Sequence, residues 1–401
     1  MKKQISPAVI QGITRRDGLL TMLGSAMALA GCGGGGGASS AGITSGGTGS
    51  FSMGAISGFG SIIVGTIRYD DSKAISVLDI DDDNKDLRNQ LKLGMVVRIK
   101  GKPKTGISAD AETIEVRSEL LGPVEQIDTT AKTFVVLGQT VQVSATTFFE
   151  EGLTGLTGLN PLAVGNIVEV HGFIDPVTNK LAATRIERKV LASVKAFKLQ
   201  GTITDFNATA KTFKIGALTI SFATADVPTN LLLANGLLVR VRLEPTLTGG
   251  TRKALKIRAV EQEIENRDEA EVEGIITSFT SSVKFSVNGL PVDAAAAVVP
   301  TGLKLGDRVE VEGRLVNGVL VARKVELENE EDPLRFELHG TVLTLNTTDK
   351  TFVLRGVTVD YSAAVFSGGT AINLANGSRV EVKGIASADG TKLKATRISF
   401  E

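Results

Sequence analysis

Leu162-Ala163-Val164-Gly165-Asn166-Ile167-Val168-Glu169-Val170-His171-Gly172 decides the fold. Apolar and polar residues alternate through Val168–His171, the period of a half-buried strand, and the glycine ahead of them marks a turn. Leu-x-x-Gly returns at Leu91–Gly94, Leu233–Gly236, Leu303–Gly306 and Leu374–Gly377. Each copy leads into the same kind of strand: Val97–Gly101, Val239–Arg242, Val309–Gly313 and Val380–Gly384. The glycines of Leu-x-x-Gly are 71, 71, 70 and 71 residues apart. So constant a period over most of the chain means that one folded unit was copied.

Working outward, each unit opens on Gly-x-[Ile/Val], at Gly54, Gly122, Gly201, Gly274 and Gly340. A polar turn follows, ending in Lys-Thr-Phe at Lys132, Lys211 and Lys350 and in Lys284-Phe285 in the fourth unit. A second strand closes on a glycine; Asn288-Gly289 is the strongest hairpin signal among these, since both residues tolerate positive φ. A third strand, a variable connector, the Leu-x-x-Gly strand and a last strand marked Ala-x-x-[Ile/Val] complete the unit. Five short strands with the longest connector between the third and fourth must hide one face, and a closed barrel does so while removing edges. The fold class expected is all-β: five tandem small five-stranded OB-like β-barrels after a signal peptide and flexible tether. A two-sheet sandwich per unit is the rival. The boundaries are 1–31 for the signal peptide, 32–53 for the tether, and 54–119, 120–190, 199–262, 272–329 and 338–401 for the repeats. The joints Glu261–Glu273 and Glu326–Glu337 are acidic and read as solvated spacers, with extension of the flanking strands as the alternative.

The N-terminus carries its own signals. Lys2, Lys3, Arg15 and Arg16 precede an apolar run, Leu19 to Leu29, that is short for a bilayer span. It ends in Leu29-Ala30-Gly31-Cys32, which resembles the lipobox of bacterial lipoproteins. That resemblance implies cleavage before Cys32, the one cysteine, and its acylation, and several acyl chains give lasting attachment. Thr14-Arg15-Arg16-Asp17-Gly18 resembles a twin-arginine export signal without the usual aromatic, and the general secretion route stays open beside it. Gly33 in place of an aspartate implies, by the same resemblance, an outer-membrane destination. Residues 33–53 are rich in Gly, Ser and Thr and read as a tether.

The repeated residues also resemble an uncharacterised bacterial domain family found in tandem in exported lipoproteins. The Gly-x-Val opening, the Lys-Thr-Phe step, Val-Glu-Val-x-Gly and the closing Ala-Thr-Arg-Ile at Ala183–Ile186 and Ala395–Ile398 carry it. The resemblance spans residues 54–401 and implies an envelope protein of unknown activity. Unit one departs most, lacking Lys-Thr-Phe and holding an acidic insertion.

Composition narrows function. Forty-four basic and forty-four acidic residues cancel, giving no global reason to bind nucleic acid. There is no Trp and only two Tyr, so stacking platforms are scarce. Asp79, Asp81 and Asp83 could offer oxygens to Ca²⁺, but Asn84 and Gln90 break the EF-hand pattern, and a solvated acidic loop is the plainer reading. His171 and His339 are the only histidines; His171 falls at an outward slot filled by Lys or Glu in sister units, and neither has a reactive partner at a recognisable spacing. Unit three is basic, and Arg240 and Arg242 share the outward face of its fourth strand, where a polyanion could sit; a solvated face is again the plainer reading. The Phe residues fall at packing positions. The expectation is a non-enzymatic, lipid-anchored envelope protein that binds or scaffolds through a rod or curved array of barrels. The alternative is an oligosaccharide- or oligonucleotide-binding OB-like array; a periplasmic enzyme stands third. Expected partners are the membrane through the lipid anchor and an envelope protein or glycan. Nucleic acid is not expected, nor any cofactor.

Overall fold

The computed structural model describes residues 50–79, 85–104, 106–260, 265–328 and 336–401. The signal peptide with Arg15 and Arg16, Cys32 with nearly all of the tether, Asp81, Asp83 and parts of both acidic joints lie outside the described residues. Regular structure among those described is strand, with three short 3₁₀ turns.

Unit two shows the plan. Its first strand, Leu120–Asp128, pairs antiparallel with the second, Thr133–Val136, and the second with the third, Gln139–Gln142. The third runs parallel to the fifth, Lys180–Lys189. The fifth pairs antiparallel with the fourth, Ile167–Asp175, which returns to the first. The order one-two-three-five-four-one closes a ring, the arrangement of an OB barrel, and excludes the open sandwich. The same ring closes in unit one, unit three, unit four and unit five. Phe134, Phe213, Phe285 and Phe352, the aromatics after each lysine, are all buried in barrel interiors.

Leu-x-x-Gly is the clasp that shuts each ring. The glycine N–H donates to the first strand in every unit: Gly94 to Ile56, Gly165 to Val124, Gly236 to Ile203, Gly306 to Ile276 and Gly377 to Val342, at 2.8–3.0 Å. All five glycines have φ between 79° and 94°, a conformation that costs other residues strain. The leucines Leu91, Leu162, Leu303 and Leu374 are buried beneath the clasp.

The glycine within the fourth strand does a different job. The ladder between fourth and fifth strands slips by one residue at His171/Gly172, Lys100/Gly101, Glu312/Gly313 and Lys383/Gly384. This bulge bends the strand around the barrel. A Cβ on Gly172 would lie 2.2 Å from the Ala182 carbonyl oxygen, so only glycine fits.

The units are not arranged as a row in which each meets only its sequence neighbours. First strands begin earlier than the boundaries read from the sequence: Ser50–Met53, placed in the tether, opens the first strand of unit one and runs parallel to Glu269–Val272, the start of the unit-four strand, while Gly58–Phe59 runs parallel to Glu337–Leu338 at the start of unit five. Leu120-Leu121 of unit two pairs antiparallel with Lys198-Leu199 of unit three. Physically, where an end of a first strand overhangs its barrel it leaves an edge unpaired, and such edges satisfy one another. The cores merge accordingly. Units one and five share one apolar core, units two and three another, and Phe51 and Met53 of unit one complete that of unit four. Phe148 of unit two meets Phe336 of unit five edge-on, ring centres 4.6 Å apart.

Candidate binding cavity between the units

Where four units converge, the barrels leave a cavity of about 620 Å³. Met53 and Val96 of unit one, Leu120 and Phe173 of unit two, Leu238 of unit three and Asn288 of unit four all reach it. Val96, Phe173 and Ile275 form a small apolar knot at this junction. Gln139, Thr140, Asn179, Gln200 and Thr204 bring amide and hydroxyl groups into the walls. Mostly apolar walls with a few placed polar groups, enclosing about 300–1,000 Å³, are the usual form of a small-molecule site.

Two charged residues line the same space, Arg117 and Glu119, and both are over nine-tenths buried. Arg117 closes the last strand of unit one, opposite Val96 in register. Its carbonyl accepts a hydrogen bond of 2.7 Å from His171 Nδ1, which fixes the proton on that nitrogen. Burial pushes His171 below its ordinary pKa, so the ring is neutral. The Arg117 guanidinium is crowded by its own kind. Burial first, then the Arg98 and Arg240 charges, depress it to about 9. The Glu115 carboxylate stands 3.6 Å from Arg117 and 3.8 Å from Arg98, beyond direct hydrogen bonding. The Nε atoms of both arginines are buried and find no hydrogen-bond partner among the described residues.

The residues singled out in the sequence fall in other settings than their local pattern suggests. Arg240 is buried, not solvated: its guanidinium donates to the Ser118 carbonyl and the Gln200 side chain, each at 2.7 Å. Arg242 is half-buried, opposite Lys198 in the ladder. At Arg240 the outward face of this strand therefore packs against the joint of units one and two instead of standing in solvent, the plainer reading of the sequence. Asp79 is buried, and its carboxylate takes Lys198 Nζ at 2.6 Å. Its two companions Asp81 and Asp83 lie outside the described residues. His171 sits in the unit-one junction rather than at an exposed slot, because outward from its own barrel is inward to the cluster. His339 does have carboxylate partners. Its Nε2 lies 2.7 Å from Glu337 and its Nδ1 2.6 Å from Glu401, and Glu337 also takes Arg68 of unit one. Burial opposes the imidazolium, but these hydrogen bonds raise its pKa overall. Glu337, His339 and Glu381 lie close enough to suit a cation, yet Arg68 and Lys383 already pair with the two carboxylates and His339 bonds Glu337 and Glu401.

Sequence reasoning missed Arg117, Glu119 and Lys198. Arg117-Ser118-Glu119 joins two units with neither Gly nor Pro, and that was the available signal: a polar joint too short to be a spacer must be held between its neighbours.

Three segments, 122–187, 273–326 and 339–399, match the family model described as a domain of unknown function (DUF5666). No curated protein matches. Among solved structures, one titled drosophila Unr CSD456 aligns at 13% identity and a TM-score of 0.14, covering 53% of this chain and 98% of that one. Three of the five ring-closed units, the second, fourth and fifth, thus match the model of this uncharacterised domain, and the chain as a whole is a tandem array of small β-barrels.

Proposed function

We propose that this is a non-enzymatic binding protein of the cell envelope, exported and held by acylated Cys32, whose packed barrels hold a small polar ligand between them. The cavity of about 620 Å³ at the meeting of four units carries the reading. No single barrel could form it, so the tandem arrangement gains a purpose beyond reach. Its amide and hydroxyl groups suit the hydroxyls of a saccharide, and its apolar walls suit a sugar ring face. A saccharide fragment of the envelope is therefore the favoured ligand.

The test is calorimetry of the full-length protein in detergent against neutral and charged mono- and disaccharides. Saturable binding is expected, and Ser278→Trp, which fills the space from an exposed position on its wall, should abolish it. Binding that survives Ser278→Trp unchanged would place the ligand elsewhere and sink the proposal.

A further inference from the structure

We infer that the cavity is built for an anionic ligand, a sugar acid whose carboxylate seats on Arg117. This deepens the binding role proposed above and rests on it. Arg117 lines the cavity, is 8% exposed, and keeps a buried Nε without a hydrogen-bond partner among the described residues. A buried guanidinium that makes no side-chain hydrogen bond to a described residue is costly; its Nε is sealed off, but a ligand oxygen reaching its terminal nitrogens from the cavity offsets part of that cost. The electrostatics point the same way. Arg98 and Arg240 face Arg117 closely enough to repel it, while Glu115 and Glu119 are the carboxylates that attract it. Among the groups that act most strongly on Arg117, three guanidiniums counting its own stand against two carboxylates, an excess of positive charge in a low-dielectric space. Glu115 does not discharge it, standing at 3.6 and 3.8 Å and with its own Oε2 unmatched. A single carboxylate balances the group, and the planar fork of an arginine fits a carboxylate with two parallel hydrogen bonds. Gln139, Asn179 and Gln200 remain for the sugar hydroxyls.

The experiment titrates the full-length protein with glucuronate, glucose and inorganic sulfate, and repeats it with Arg117→Gln and Glu119→Gln. Glucuronate should bind at least about 10-fold tighter than glucose, the size of one charge-assisted hydrogen bond. Sulfate should compete with it. Arg117→Gln should erase the preference, and Glu119→Gln, which removes the opposing charge, should strengthen it. Should Arg117→Gln lose its native circular dichroism, Glu119→Gln decides: tighter glucuronate binding supports the assignment, and unchanged or weaker binding overturns it. Equal binding of glucose and glucuronate overturns the charge assignment while leaving the cavity as the ligand site. Failure of all three probes, with Ser278→Trp also silent, removes the binding role itself.

Discussion

The Lys198 ammonium lies 2.6 Å from Asp79 and 3.3 Å from Glu169, so one lysine of unit three bridges units one and two. The residue that looked most like a cation ligand is held by a cation of the chain itself. Burial opposes ionised Glu169, but Lys198 and Lys189 hold its pKa well below the usual carboxylate range. Removing the lysine takes a shared cation from two buried carboxylates, of which Glu169 keeps Lys189 at 2.9 Å, and breaking such a buried pair costs about 3 kcal/mol. Lys198→Ala should therefore lower the urea midpoint sharply at pH 7. Because the folded pKa of Glu169 is depressed, its stabilisation is present above the unfolded value near 4.5 and lost as pH falls. Lys198→Ala should shift that acid loss to higher pH. An unchanged midpoint would mean that the bridge is not formed in solution.

A second carboxylate pair gives stability the opposite slope. Glu271 and Glu310 lie diagonally across neighbouring strands of unit four, opposite Glu312 and Glu273 respectively, while Glu271 also accepts from the Thr66 backbone and hydroxyl of unit one at 2.5 and 2.7 Å. Burial first, and then the Glu271 charge, raise Glu310 to about 9. The folded state thus keeps a proton that the unfolded chain releases near 4.5. Stability from this pair is whole below 4.5 and fades as pH rises through about 9. His339, also raised, adds a loss in the same direction above its ordinary 6.5. Thermal midpoints should fall from pH 6 to 9. Glu310→Gln, which keeps a donor for Glu271, should flatten the fall and stabilise the protein at pH 9 by about 1–2 kcal/mol. A profile equally steep in Glu310→Gln would rule out this pair as its source.

Anchoring is separately testable. If Cys32 is the acylated first residue, mass spectrometry of the mature protein should find the chain starting there with its mass raised by the acyl groups. Cys32→Ala should move the protein from the membrane to the soluble fraction, because the remaining sequence offers no comparable apolar stretch. Membrane retention of Cys32→Ala would remove the anchor from the proposed role.

The barrels were legible in the sequence because their determinants are local. A positive-φ glycine at Gly165 and an alternating strand after it, repeated at a fixed period, define a unit without reference to the rest of the chain. What the units do to one another was not legible. Arg240 and His171 point out of their own barrels, and the alternation rule reads outward as solvated. Both are in fact at junctions, since pairings such as Ser50–Met53 with Glu269–Val272 join strands over two hundred residues apart. His339 and Glu401 meet across 62 residues for the same reason. The cavity and Arg117 belong to this second level, so no unit taken alone could show them.

The two glycine positions of each unit offer a sharp check on that local reading, because they fail for different reasons. At Gly165 a Cβ would meet nothing within 4 Å, so Gly165→Ala carries only the strain of φ +88. That strain is about 1–2 kcal/mol. At Gly172 φ is unexceptional, but a Cβ would sit 2.2 Å from the Ala182 carbonyl oxygen. Relief requires the bulge to open and the fourth and fifth strands to part, at a cost of about 3 kcal/mol or more. Gly172→Ala should thus be markedly less stable than Gly165→Ala in urea titrations. The double variant should be additive, since the two sites share no side-chain contact. If Gly165→Ala is the worse of the two, the clasp does more than turn the chain, and its hydrogen bond to Val124 is where the excess would reside.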